Sequence, residues 1–481
     1  MKRILLSTFL LISLSLSAQN IDRKQVVERN NPHVVTMDSL NSLSVGNGGF
    51  AMTVDGTGLQ SFPKSYSKGV PLGTMSDWGW HSFTNPENYK QEESWRYYDY
   101  GRGRKEPYAT QIKEDKRKKA AGDWYRVNPH RLHLGTLGLS LGSDPKNIQQ
   151  VNQILDMWDG MIKSSFIYHG RAYQVETTCH PELDMIATHV QSKGSIAFDI
   201  RFAYPTGGHC DDACDWNKDH LHSTMLVSQD KNSAVLKRTI DETVYFVMLR
   251  WQGTAKLKQK GKNFYQLQSK SVDLKLTCEY AEQLSSENKT FAEVADAAKV
   301  YWNRYWQKGA MVDFGQCKDP RAQEMERRVV LSQYLLAIQD AGETPPQETG
   351  LTYNSWFGKF HLEMILWHQA QFALWGHPEL LERSLSWYFK AEPNARKIAR
   401  RQGFKGVRWM KMTDPDAGEA PSSTGSFLIW QQPHLIYLAE LLYRADPSPA
   451  ILQKYAKLVD ETAEFMGDFA EYDKEKDRYI L

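Results

Sequence analysis

The chain has 481 residues, of which 41% are hydrophobic, 24% charged and 12% aromatic. That is ample apolar material for a core, which excludes wholesale disorder and corresponds to about two to four domains. Lys and Arg number 59 against 57 Asp and Glu, a formal charge of +2, which argues against a dedicated nucleic-acid binder or a polybasic membrane binder. The 15 Trp and 23 Tyr fit either a large aromatic core or flat platforms for sugar rings.

Lys2 and Arg3 precede an apolar stretch from Ile4 to Leu16, then the small residues Ser17 and Ala18. Residues 1–18 read as a secretory signal peptide, too short for a permanent span. No Cys follows that would carry a bacterial lipid anchor, and no later stretch reaches about 18 apolar residues. A secreted or periplasmic protein without membrane insertion is expected. Five cysteines remain: Cys179, Cys210, Cys214, Cys278 and Cys317. Cys210 and Cys214, in GGHCDDACDW, leave three options open: a small local disulfide, a metal clip with His209, Asp211 and Asp212, or free thiols.

Residues 19–289 read as a β-sandwich domain of supersandwich type. Runs such as SIAFDIRFAY, TVYFVMLRW and VDLKLTCEY alternate apolar and polar positions between Gly, Pro, Asn and Asp breaks, the pattern of many short strands. The charged stretch Arg104–Lys119 mixes signs and reads as a solvated loop or short exposed helix. The pattern changes near 290. TFAEVADAAKVYWNRYWQKG predicts a helical linker over 290–314. Next comes DPRAQEMERRVVLSQYLLAIQDAG, with Asp319 as N-cap, Pro320 as first helical residue and Gly342 as stop. Helices are further predicted in GKFHLEMILWHQAQFALWG, PELLERSLSWYFKA with its continuation to Gln402, FLIWQQPHLIYLAELLYRA and SPAILQKYAKLVDETAEFMGDF. The whole is an α+β multidomain chain, strands first and helices after.

Residues capable of chemistry concentrate between 345 and 434. The Gly- and Pro-bearing PPQETGLTYNSWFGKFHLEMILWH carries Glu348, Trp356, Lys359, His361, Glu363 and His368. His361 and Glu363 are two apart, about 200° around a regular helix, which would keep them from facing one pocket. GVRWMKMTDPDAGEAPS holds Trp409 and Lys411 ahead of Asp414, Asp416 and Glu419. That reads either as a solvated acidic turn or as an aromatic platform with hydroxyl-binding groups. Trp430, Gln431, Gln432 and His434 gather at a Pro433 kink inside a predicted helix, where polar groups usually face a cavity. There is no Gly-rich phosphate loop, HExxH zinc motif or GxSxG elbow; no cofactor is expected, and no metal is assigned to the catalytic site. Carboxylates, aromatics, amides and Lys in a helical region favour glycosidic cleavage, which needs a carboxylic acid to protonate the leaving oxygen and a second group to activate water.

These residues resemble a family. A strand-rich domain, a helical linker and a helical barrel in that order are similar to the (α/α)6-barrel, or six-hairpin, glycosidases: maltose- and kojibiose-type phosphorylases, acid trehalases and (α/α)6 α-L-fucosidases. SVGNGGFAMTVDG at 44–56 resembles the GNG motif of their β domain. GLTYNSWFGKFHLEMILWH at 350–368 resembles the stretch at the barrel's sugar-binding mouth, with Glu363 and Met364 matching the fucosidase Glu-Met pair and His361 near an Asn of those enzymes. Ala395-Arg396 through GFKGVRWMKMTDPDAGEAP resembles the phosphorylase stretch where an aromatic and a carboxylate contact the sugar, here Trp409 and Glu419. The chain departs from the group in having His361-Leu362 for the phosphorylase Trp-Asp pair and no clear phosphate-binding Ser/Lys features. The resemblance also places the general-acid Glu on a later segment, beyond Leu481, and makes 315–481 the first part of an incomplete, C-terminally truncated barrel.

The resemblance implies a secreted glycoside hydrolase acting with inversion on an oligosaccharide or glycoconjugate by paired acid/base catalysis. The alternatives are a non-catalytic carbohydrate-binding protein of the same architecture and a disaccharide phosphorylase. The catalytic candidates are Glu363, Glu419 and Asp416. Trp356, Trp409 and Trp430 are expected to line one concavity with Lys359, Lys411 and Glu419, joined by His361, Gln432 and His434 as substrate-binding residues.

Overall fold

The structure is a computed structural model that describes residues 21–481; the signal-peptide reading of 1–18 lies outside the described residues. From 33 to 281 strands dominate. Nine form one sheet in the order His33–Val34, Ile148–Asp156, Met161–Tyr168, Arg171–Cys179, Met185–Ser192, Asp273–Ala281, Thr243–Gln252, Ser233–Ile240, His222–Gln229. Every neighbouring pair is antiparallel. A second sheet orders Ala255–Gly261, Phe264–Ser269, Ile196–Arg201 and Thr136–Leu139. Along Ser233–Ile240 every second residue is buried, as a strand with one face on a core requires. A short three-stranded sheet of Leu43–Gly46, Phe50–Val54 and Thr74–Ser76 carries the GNGG turn. The architecture is therefore mixed and multi-sheet.

Helical segments interrupt the strand region: α1 (Arg23–Arg29), the single turn Pro63–Tyr66 and α2 (Lys116–Val127). Of the charged Arg104–Lys119 stretch, expected as a solvated loop or exposed helix, Lys105–Ala109 is instead a mostly buried strand, and only Lys116–Lys119 enter α2, N-capped by Asp115. After 290 follow α3 (Phe291–Lys308), α4 (Ala322–Gln339), α5 (Ile365–Leu374), α6 (Pro378–Arg401), α7 (His434–Ala445) and α8 (Pro449–Phe469). Thr290 and Glu293 form a reciprocal capping box at the start of α3. Phe291 and Val294 then pack on Met185 and Ala187 of the large sheet, and Trp306 Nε1 donates to the Met157 carbonyl at 2.7 Å. On α4, Tyr334 donates its hydroxyl to the Ser44 carbonyl at 3.3 Å. One apolar core runs continuously from Val26 to Leu458, so strands and helices are not separately packed bodies. Among the described residues no helix is long and apolar enough to cross a membrane.

Three local expectations need correction. α4 starts at Ala322 with Arg321 at the N-cap and is followed by Asp340 as C-cap, not Gly342. By contrast, PELLERSLSWYFKA and its continuation form one helix, α6, as expected, with Pro393 inside it. Phe360-His361 is not helical: it pairs as a short strand with Met412-Thr413, and α5 begins only at Ile365. Pro433 is the N-cap of α7, not a kink within it, so Trp430, Gln431 and Gln432 lie in the preceding turn. A proline lacks the N–H that a helix interior requires, and the start of a helix is where that loss is tolerated.

Candidate functional site

The strand pairing just described assembles the site. His361 stands opposite Met412 in the short ladder, and Leu362 N–H donates to the Lys411 carbonyl at 2.9 Å. This extended backbone removes the helical constraint and places Lys411 beside Glu363. Lys411 Nζ lies 2.7 Å from Glu363 Oε1 and 4.6 Å over the Trp356 ring, so one ammonium serves a carboxylate and an indole face together.

Trp356 is held by strained backbone. Trp356, Phe357 and Gly358 all have positive φ, at 49°, 65° and 71°, a region that bulky L-residues rarely occupy. Gly358 is required there, because a Cβ would sit 2.1 Å from Arg131 Cβ. A second ladder, Cys210-Asp211 against Asn354-Ser355, brings His209 to within 4.2 Å of the Trp356 ring centroid. Arg126 from α2 approaches the same indole at 5.8 Å. His209 and Arg126 were missed as partners of this site; only the fold connects them to Trp356, and no local pattern marks them.

His361 is fully buried with its ring 5.6 Å from that of Trp356. Nδ1 lies 3.2 Å from the Lys359 carbonyl, whereas Nε2 has no hydrogen-bond partner. Burial, then the nearby Lys411 charge, lowers its pKa to about 3, so the imidazole is neutral near pH 7. His368 is lowered to about 4, also by burial, and its Nδ1 is buried without a partner. On the other side His434 Nδ1 lies 3.0 Å from the Leu362 carbonyl. Its ring stands edge-on to Trp430 at 5.3 Å, and Trp430 meets Trp367 at 5.6 Å. Both indoles are exposed, at 42% and 56%, which makes them available to a ligand. The structure thus gathers Trp356, His361, Glu363, Lys411, Trp430 and His434 into one region.

The remaining candidates lie elsewhere. Trp409 is 1% exposed, with Nε1 bonded to Thr462 Oγ1 and its ring edge-on to Tyr388; it is core, not a platform. Gln432 is fully buried and ties the backbone of Trp409 and Val407. Lys359 is buried, donates to the Asn128 carbonyl at 3.0 Å and lies 3.8 Å from Asp414. Glu419 is buried against Arg401 at 2.5 Å, with Oε1 unpartnered. Asp414 and Glu419 border a separate recess of about 210 Å3 with Trp124 and Tyr125. Asp416 points to solvent near Lys390. The single concavity of three Trp with Lys359, Lys411 and Glu419 does not form, because residues 409 and 430 are set by different packing demands. All five cysteines are free thiols: Cys210 pairs with Ser355 and Cys214 with Pro205 in backbone ladders. Among the described residues no group of three His, Cys, Asp or Glu is placed to hold a metal ion.

No protein-family model matches the chain, and no curated protein matches it in sequence. Its structure is similar to that of a protein assigned as a kojibiose phosphorylase from the human microbiome, with a TM-score of 0.62 at 11% identity over 94% of this chain and 62% of that one. A bacterial glucoamylase complexed with acarbose gives 0.40 at 10% identity over 64% of this chain and 48% of that one. A family GH92 α-mannosidase from Bacteroides thetaiotaomicron gives 0.28 at 8% identity over 72% and 57%. The last two superpose too loosely to bear on the fold. The chain spans about 62% of the length of the phosphorylase-like structure, and its resemblance to the (α/α)6-barrel glycosidase group is seen at the level of fold.

Proposed function

We propose that the protein is a carbohydrate-active enzyme, a secreted glycoside hydrolase that cleaves with inversion. In this reading residues 19–289 are the supersandwich part and the helices after 315 belong to an (α/α)6 barrel. The observation that carries it is Glu363, fixed by Lys411 under Trp356 and flanked by the exposed Trp367–Trp430 pair. Indole faces take the apolar face of a sugar ring. An ammonium-paired carboxylate is an acceptor, so Glu363 suits the base that takes a proton from water. Glu348 offers a second carboxylate, whose charge acts on His209. Paired carboxylates on opposite sides of the scissile bond are what inverting hydrolysis requires.

A non-catalytic sugar-binding role is the second reading, favoured by the 2.7 Å ion pair that already occupies Glu363. A glycan panel separates them. The hydrolase releases reducing sugar, Glu363→Gln abolishes release while retaining binding, and added inorganic phosphate leaves the product unchanged. Binding without release supports the second reading, and a phosphate-dependent sugar phosphate would make the protein a phosphorylase.

A further inference from the structure

A separate hollow lies where the strand region meets α6. Its volume is about 620 Å3, within the roughly 300–1,000 Å3 usual for small-molecule sites. Its walls come from the Ser76–Trp80 run, Asp184, the Gly342–Thr344 turn and Arg383. Two carboxylates are held in fixed orientation. Asp184 Oδ2 accepts from Ser76 Oγ at 2.5 Å and Trp78 Nε1 at 2.7 Å. Asp77 Oδ2 accepts from the Glu343 N–H at 2.9 Å. A carboxylate has about four acceptor positions, so both retain capacity for a ligand's donors. Glycines keep the floor open: a Cβ on Gly342 would fall 1.8 Å from Asp77 Oδ2, and one on Gly49 3.3 Å from it.

The hollow is acidic. Besides Asp77 and Asp184 it is lined by Glu182, Glu282 and Glu343, against the bases Arg383 and Lys390, with Arg131 behind Trp80 also facing Asp77. The five acids outnumber the bases around them, and an organic cation matches that excess. Trp78 and Trp80 spend their N–H groups on Asp184 and the Asp77 carbonyl. Arg131 already sits 4.2 Å over the Trp80 ring, which leaves the part-exposed Trp78 as the surface for a ring.

We infer that this hollow binds a sugar carrying a protonated amine. An ammonium offers three donors and one positive charge to the Asp77 and Asp184 side. The ring hydroxyls donate to the remaining carboxylate positions, and the ring's apolar face covers Trp78. A neutral sugar leaves the charge unmatched, and a linear polyamine leaves the indole uncovered. This site stands apart from Glu363 and does not rest on the hydrolase reading.

Isothermal titration with a glucosamine tetramer tests it, with the N-acetylated tetramer and spermine as comparisons. The glucosamine tetramer should bind at least tenfold more tightly than either. Asp184→Asn should weaken it at least fivefold. Because Asp184 also holds Ser76 and Trp78, the rim variant Glu282→Gln is measured in parallel and should weaken binding about twofold or more without changing the melting temperature. Lys411→Met should leave this binding intact. Equal affinity for the N-acetylated sugar or spermine, no binding, insensitivity to both acid variants, or loss with Lys411→Met would each overturn the assignment.

Discussion

Replacing Trp409 distinguishes a core tryptophan from a sugar platform. Its side chain is 1% exposed, packs on Tyr388 with ring centroids 4.7 Å apart, and bonds Thr462 of α8 at 2.9 Å. Its backbone N–H and carbonyl are held by Gln432 and Gln431. Truncating a buried aromatic to Ala costs about 3–5 kcal/mol, and the bond to Thr462 adds about 1 kcal/mol, so Trp409→Ala should lose about 4–6 kcal/mol. Trp409→Phe keeps most of the ring volume. Thr462 still donates to the Leu458 carbonyl at 2.6 Å and is not orphaned, so this variant should lose only about 1–2 kcal/mol. Urea unfolding followed by far-UV circular dichroism measures both. Wherever Trp409→Phe remains folded, its sugar affinity should equal that of the parent. Unchanged stability of Trp409→Ala together with lost sugar binding would refute the placement of Trp409 in the core.

Three further variants probe buried charge and backbone strain. Lys359 is fully buried and its pKa is lowered to about 8 by desolvation, against the opposing pull of Asp414. Between that value and the ordinary 10.5 the unfolded chain binds the proton more than the folded one. Stability should therefore rise with pH across this window by up to about 3 kcal/mol, and Lys359→Met should remove that rise in urea titrations at pH 7.5 and 10. Arg401→Ala leaves the Glu419 carboxylate buried and uncompensated, at a cost of about 3–5 kcal/mol. Adding Glu419→Gln should recover more than half in a double-mutant cycle, and full additivity would contradict the pairing. Gly358→Ala puts a Cβ 2.1 Å from Arg131 at a φ of 71°. It should cost more than about 2 kcal/mol and weaken sugar binding by displacing Trp356; stability equal to the parent's would contradict the strained turn.

What the sequence makes legible follows from which forces are local. The alternation in Ser233–Ile240 and the capping pair Thr290 and Glu293 are consequences of neighbouring residues, and both can be read from the order of residues alone. The helix expected through FHLEM fails because residues 360–361 pair with 412–413, about fifty positions away, and that pairing overrides an apolar period. Trp409 and Trp430 look alike in sequence, each beside polar residues. One is buried because Tyr388 and Thr462 surround it, and the other is exposed on a turn. Glu363 and Lys411 were both identifiable as chemistry-bearing residues, but their 2.7 Å contact depends on the ladder, as does the arrival of His209 beside Trp356 through the Cys210–Ser355 pairing.

Saturation-transfer NMR with a panel of neutral disaccharides and oligosaccharides tests most directly whether the Trp356–Glu363–Lys411 region is a sugar site. At least one member of the panel should receive saturation from the parent protein, strongest at the ring protons that lie on an indole face. Trp356→Ala should abolish the transfer and Lys411→Met should reduce it by more than half, both without loss of the folded circular dichroism spectrum. Absence of transfer to every sugar, or equal transfer with the parent and both variants, would contradict the carbohydrate reading.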